Sequence, residues 1–155
     1  MTDDKTPGPR RLEMTSLMTP DTANFAGKVH GGDLLKQLDE VAYSCAARYC
    51  GEYVVTLLLD DALFRAPVHV GELVSFKAHV NWVGDSSMEV GIRVDAENHR
   101  TGDTRHVMSC FFVMVAMGDD SEPIAIPAFE PENDTERRRW KEAEQRQKRR
   151  RENRN

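Results

Sequence analysis

The sequence contains few cysteines and no long apolar run, and these shortages exclude several classes of protein. Cys45, Cys50 and Cys110 are the only cysteines in 155 residues, and their spacing matches no metal-binding motif. An odd number of thiols in apolar surroundings indicates reduced, buried side chains rather than a disulfide framework. The first twenty residues lack an apolar run of signal-peptide length, and no later segment is long enough to cross a bilayer. We therefore expect a cytoplasmic protein.

Histidines are also few and scattered. The five histidines lie in separate segments, so the sequence predicts no metal site: His30, His69, His79, His99 and His106.

Charge is unevenly distributed along the chain. Residues 132–155 contain ten Lys or Arg and six Asp or Glu, whereas residues 1–131 contain 11 basic and 20 acidic residues. Residues 136–144 predict a charged helix with few apolar anchors, which we expect to be solvated or frayed. Its large anchor, Trp140, packs on either the body or a neighbouring subunit. This divides the chain into a flexible segment 1–10, one domain 11–127, and a charged tail 128–155 that is helical or partly disordered.

One long amphipathic helix is predicted near the start of the domain. Its apolar positions recur with the helical period and form one stripe: Leu34, Leu35, Leu38, Val41, Ala42, Cys45, Ala46 and Tyr49. Asp39 lies at the margin of this stripe, beside Leu35 and Ala42. We expect its carboxylate to be partly desolvated and able to act as a base or nucleophile, whereas Glu40 faces water.

Two glycines, Gly31 and Gly32, stand where this helix begins. The unpaired N–H groups of a first helical turn, together with the helix dipole, suit an anion or a developing oxyanion. The alternative is a plain loop followed by a cap. His30 favours a role in holding this loop, and Asn24 is equally compatible with a cap or turn position.

After the helix the apolar period changes from 3.6 to two residues. Residues 74–82 and 88–97 alternate between apolar and polar, which predicts two half-exposed strands joined by the turn 84–86. Residues 54–64 predict the strand after the helix, and 106–117 a central strand covered on both faces. With a short strand near residues 11–17, periodicity alone predicts an α+β fold with one helix on one sheet.

Several motifs occur along the chain in the same order as in one known protein family. The run Asn24…Gly27…Val29-His30-Gly31-Gly32…Leu35…Leu38-Asp39-Glu40-Val41-Ala42 resembles the hotdog-fold acyl-CoA thioesterases, which include YciA-type bacterial enzymes and the brain and cytosolic acyl-CoA hydrolases of mammals. Later segments match in order: Val55-Thr56…Asp60…Phe64…Pro67…Gly71, Ala96-Glu97-Asn98…Thr101-Gly102, and 109–116. The resemblance runs from about Leu12 to Pro127. It implies a hotdog fold, in which a curved antiparallel sheet of five to six strands wraps one long central helix.

The resemblance also implies a reaction and an assembly. Two subunits pair their sheets edge to edge, and three dimers stack into a hexamer. Asp39 of one subunit activates water or attacks the thioester, Asn24 of the partner positions water or thioester, and the Gly32 N–H stabilises the oxyanion. The products are a fatty acid and free CoA, which is part of the substrate, so no cofactor is implied. Acyl chain length stays open.

Contacts to substrate and CoA are less defined by the sequence. His30 and Gly31 adjoin the reaction site, while Arg65, Arg93 and the turn residues Ser86 and Ser87 are candidates for the phosphates. Asp85 departs from the family pattern, in which a basic or uncharged residue often occupies this position of the turn. An acid there repels phosphate, which weakens the case for a contact between this turn and CoA. An exposed charge at a strand end is the alternative for both arginines.

Two other functions share this fold. A non-catalytic hotdog protein could sense acyl-CoA or contact nucleic acid through Arg146–Arg151, but the body is acidic and no helix-turn-helix segment is present, so nucleic acid is disfavoured. An acyl-thioester dehydratase pairs a histidine with a carboxylate, which the Asn24 and Asp39 pattern does not match.

Overall fold

The computed structural model describes residues 6–154, which form five strands and two long helices. Of the segment 1–10 that we expected to be flexible, residues 1–5 lie outside the described part. The described remainder is held to the body: the Gly8 N–H donates to the Tyr49 carbonyl at 2.8 Å, and Arg10 pairs with Glu136. The elements are β1 (Arg11–Leu17), α1 (Gly31–Cys50), β2 (Tyr53–Asp60), β3 (Leu73–Val83), β4 (Ser87–Glu97), β5 (Thr104–Met117) and α2 (Asp134–Asn153).

Helix α1 begins and ends where the sequence places its signals. His30 is the N-cap, and Gly51 closes the last turn with a φ of 71°, the left-handed conformation that glycine adopts without strain. The predicted apolar stripe is buried, and Leu38, Ala42 and Ala46 are its most enclosed members.

The sheet is antiparallel, with strand order β1-β3-β4-β5-β2. Alternate residues of β3 and β4 (Val74, Phe76, Val90 and Ile92 among them) join the α1 stripe in one core. This arrangement confirms the predicted hotdog fold, with five strands. Strands β1 and β2 are the two edges of the open sheet.

Helix α2 packs on the opposite, outer face of the sheet, which the sequence did not indicate. Arg146 donates to the fully buried Glu89 of β4 at 2.6 Å, and Arg150 bridges Glu89 and Asp60. Trp140 lies 5.1 Å from the Phe129 ring, centroid to centroid. The prediction of a solvated or frayed helix is therefore wrong for the side of α2 that faces the sheet. Charges, rather than an apolar stripe, provide most of its contact, so hydrophobic periodicity could not reveal it.

This packing also removes part of the basic surface proposed for nucleic acid. Arg146 and Arg150 are committed to carboxylates of the sheet, so they are not free to contact phosphates.

No helix in the described part of the chain is long and apolar enough to cross a membrane. The three cysteines are buried, and no disulfide joins them in the described part of the chain.

Candidate active site

Asp39 meets β2 at the margin of α1. The Thr56 hydroxyl of β2 donates to Asp39 Oδ1 at 2.6 Å, and the same hydroxyl lies 3.6 Å from Met114 Sδ on β5. This contact fixes one carboxylate oxygen and leaves Oδ2 available to a reactant. We did not single out Thr56 from the sequence, although it is the one hydroxyl in the otherwise apolar run Val54–Leu59.

An open groove of about 550 Å³ adjoins this carboxylate. Helix α1 and the first half of β2 form its walls, with Asp39 and Thr56 at one side and the rings of Tyr43 and Tyr53 at the other, 6.2 Å apart between centroids. Asp39 is exposed, whereas we expected partial desolvation. Its neighbours Leu38 and Ala42 point into the core, and nothing in the described part of this chain covers the carboxylate from the β2 side.

The first turn of α1 lies near the segment that follows β2. A methyl group at Gly31 would lie 3.8 Å from the Phe64 ring, which is an ordinary van der Waals contact. His30 Nδ1 accepts the Gly32 N–H at 3.4 Å, a long contact that caps the helix weakly. His30 thus holds the loop, and the Gly32 N–H can exchange this partner for a developing oxyanion.

Asn24 organises the loop before α1. Its Oδ1 accepts the N–H groups of Ala26 at 2.9 Å and Lys28 at 3.1 Å, which is a turn role of the kind the sequence left open. Among the described residues, no hydrogen bond uses its amide Nδ2, so this donor remains available. Nor does any contact within the described chain join Asn24 to Asp39.

The residues predicted to contact CoA phosphates lie elsewhere. The Arg65 N–H donates to the Val107 carbonyl at 2.7 Å, and its side chain is exposed. Arg93 lies on the outer face of β4, 3.1 Å from Asp95. Ser86 and Ser87 use their carbonyls in the β3–β4 turn and its contact with β5. In the described chain these four do not line the groove beside Asp39, so their role in CoA binding stays a prediction.

The free edge of the sheet at β2 carries an apolar surface. Five side chains are 39–64% exposed and make up what we call the β2 edge surface: Tyr53, Leu57, Leu59, Leu63 and Phe64. Phe25, in the Asn24 loop, is fully exposed. An unpaired edge strand with exposed leucines is a surface that soluble proteins normally cover.

One long helix packed on a five-stranded antiparallel sheet is the arrangement of the hotdog-fold thioesterases. The model of the Thioesterase superfamily matches residues 26–102. A curated relative, protein VdlD of Helicobacter pylori, is 44% identical over 133 residues, which make up 86% of this chain and 76% of that protein. The uncharacterized acyl-CoA thioester hydrolase YkhA of Bacillus subtilis is 32% identical over 126 residues, which make up 81% of this chain and 73% of that protein. The chain therefore belongs to the thioesterase superfamily.

Solved structures agree with this assignment. A hexameric acyl-CoA thioesterase without ligand superposes with a TM-score of 0.90 at 31% identity, covering 96% of both chains. The acyl-CoA hydrolase of Staphylococcus aureus, in complex with butyryl coenzyme A, coenzyme A and coenzyme A disulfide, gives a TM-score of 0.86 at 28% identity and covers 94% of this chain and 88% of that one. Alanine variants of that hydrolase at an aspartate, an asparagine and a threonine also match.

Proposed function

We propose that the protein is an acyl-CoA thioesterase, which hydrolyses acyl-CoA to a fatty acid and CoA. The observation that carries this proposal is the position of the Asp39 carboxylate, which Thr56 holds at the edge of an open groove. The same helix, α1, also begins with a weakly capped first turn. Three buried cysteines that form no disulfide in the described structure support the cytoplasm as its location.

Residue spacing in the Staphylococcus aureus hydrolase supports the site. In that enzyme the substituted asparagine precedes the substituted aspartate by 15 residues, and the aspartate precedes the threonine by 17. Asn24, Asp39 and Thr56 have the same two spacings. Equal spacing in chains of the same fold favours equal positions, which makes Thr56 a further member of the proposed site.

The proposed reaction uses these groups in sequence. Asp39 Oδ2 takes a proton from water, whose oxygen adds to the thioester carbonyl, and the resulting oxyanion accepts the Gly32 N–H. Collapse of this intermediate breaks the C–S bond and releases the CoA thiolate, which receives the proton from Asp39. Direct attack by the carboxylate, followed by hydrolysis of the anhydride, uses the same atoms. Thr56 keeps the carboxylate oriented in both routes.

The site is completed by a second subunit in this proposal. The β2 edge surface adjoins the Asp39 groove, and pairing two β2 edges would bury its leucines and cover the exposed carboxylate. Asn24 makes no contact with Asp39 in its own chain, and its Nδ2 is free to donate across the interface. A trimer of such dimers gives the hexamer proposed for this protein.

Release of free thiol from a panel of acyl-CoA esters tests the function. We expect hydrolysis by the native protein and a loss of about two orders of magnitude or more in Asp39→Asn. Glu40→Gln is the matched control, because Glu40 is the neighbouring exposed carboxylate and also borders the groove. Hydrolysis that survives Asp39→Asn, or that Glu40→Gln abolishes equally, would overturn the site. A native protein that binds the esters without hydrolysing any would overturn the enzymatic function.

A further inference from the structure

A second groove lies on the other side of the molecule, where α2 meets the β1 edge of the sheet. Its volume is about 400 Å³, and four of its lining side chains are basic: Arg11, Arg48, Lys77 and Arg139. Glu13 is the one acidic residue in this lining. We call it the α2–β1 groove. It shares no lining residue with the groove beside Asp39.

Three of the basic groups form no ion pair among the described residues, although the Arg48 guanidinium donates to the Arg11 carbonyl and Glu136 acts on Arg139 from a longer distance. Within the described residues, no carboxylate lies at ion-pair distance from Arg11, Arg48 or Arg139, whereas Lys77 pairs with Asp95 at 3.2 Å. Burial, together with the positive charges of Arg11 and Arg138, lowers the pKa of Arg139. The fold thus holds like charges together in a chain whose net charge is −5, an arrangement that a bound anion would stabilise.

A buried histidine also faces this groove. His79 is only 6% exposed, and its position on β3 is opposite Arg11 of β1. Its Nε2 lies 3.1 Å from Glu136, while its buried Nδ1 has no hydrogen-bond partner in the described structure. A buried nitrogen without a partner is energetically costly, and His79 contributes one to the lining of this groove.

We propose that the α2–β1 groove binds a small molecule with adjacent phosphate groups. Guanidinium groups present paired N–H donors that match phosphate oxygens, and three unpaired cations suit more than one phosphate. The volume exceeds what a single phosphate fills and accommodates part of a nucleotide. Both a free nucleotide and the phosphate-bearing end of CoA have this chemistry. Binding of phosphate compounds here can be measured without the hydrolysis reaction, so a failure of the proposed function would not hide it.

Calorimetric titration of the full chain with tripolyphosphate, followed by ADP and free CoA, tests the proposal. We expect saturable binding of tripolyphosphate by the native protein, weakened at least tenfold in Arg11→Gln and in Arg139→Gln. Arg149→Gln is the control, because it removes the same charge from an exposed position of α2 outside the groove. Circular dichroism and thermal unfolding confirm that each variant keeps its fold, and Arg139→Lys separates the loss of charge from the loss of the paired donors.

The outcomes distinguish the possible phosphate donors. If the groove takes a free nucleotide, ADP binding weakens in the groove variants while the KM for acyl-CoA stays unchanged. If it takes the CoA end, the KM rises at least tenfold in these variants and tripolyphosphate competes with acyl-CoA. No binding of tripolyphosphate at millimolar concentration overturns the site. An equal loss in Arg149→Gln also overturns it, because the attraction would then be diffuse.

Discussion

The hydroxyl of Thr56 donates a 2.6 Å hydrogen bond to the carboxylate of Asp39. Asp39 belongs to the central helix and Thr56 to the strand at the free edge of the sheet. The orientation of the proposed catalytic carboxylate therefore depends on the strand that we expect to meet the partner subunit. In the proposed dimer, this contact couples assembly to chemistry.

Thr56→Val should lower kcat while leaving the fold intact. Valine keeps the shape and the β propensity of threonine but removes the donor, so Asp39 loses its fixed orientation. We expect a fall of about tenfold to a hundredfold in kcat, with a smaller effect on KM. Thr56→Ser restores a hydroxyl and should recover most of the rate. Steady-state kinetics of both variants check this, and equal rates for valine and serine would contradict a role for the hydrogen bond.

Leu57→Glu should break the subunit pairing at the β2 edge surface. Leu57 is 54% exposed in the single chain, and a carboxylate there would be desolvated against its counterpart in a symmetric dimer. We expect a smaller assembly in light scattering coupled to size-exclusion chromatography, together with loss of activity. Met14→Glu, on the opposite edge strand β1, is the control and should keep the β2 pairing. A Leu57→Glu protein of native mass and activity would refute this interface.

Glu89→Ala should strongly destabilise the protein. Glu89 is fully buried and accepts from Asn81, Arg146 and Arg150, so its removal leaves the buried Arg146 guanidinium without a carboxylate, while Arg150 keeps its pair with Asp60. Breaking a buried ion pair from one side costs about 3–5 kcal/mol of unfolding free energy. Arg137→Gln removes an exposed pair with Asp134 and should cost less than about 0.5 kcal/mol. Urea unfolding measures both, and similar small losses would mean that α2 contributes little.

Stability should fall in acid through Glu136. The hydrogen bonds from Arg10 hold the pKa of this buried carboxyl at about 2, below the ordinary value of 4.5. Between these values the unfolded chain binds the proton and the folded chain does not, so the contribution is complete above about pH 4.5 and is lost toward pH 2. It amounts to about 3 kcal/mol. Unfolding measured from pH 2 to 6 should show a steeper slope in the native protein than in Glu136→Gln; parallel curves would contradict the assignment.

Much of the fold follows from local sequence signals. His30 and Gly51 mark the two ends of α1. The alternation of apolar residues predicts the ends of β3 and β4 to within one residue of where the structure has them. The contact between α2 and the sheet could not be predicted in this way. It depends on Glu89 and Arg146, which are 57 residues apart and look like ordinary surface charges in the sequence.

The candidate site was only partly accessible to sequence reasoning. Asp39 stands out because it borders an apolar helical stripe, and the family resemblance names Asn24 and Gly32. Thr56 becomes a candidate only when the structure brings β2 against α1. Arg93 was a candidate phosphate ligand that stays a prediction; the structure places it on the outer face beside Asp95, away from the groove at Asp39. Pairing across strands decides such questions, and one sequence does not contain that information.

The central claim is an active site shared between two subunits, with Asp39 from one and Asn24 from the other. Co-expression of Asn24→Ala and Asp39→Ala chains tests it directly, because each mixed dimer would contain one site with both substitutions and one with neither. Random pairing then predicts recovery to about a quarter of native thiol release per protomer, from two nearly inactive parents. Activity that remains at the level of the single variants would contradict a shared site, since it would place both residues in the same subunit.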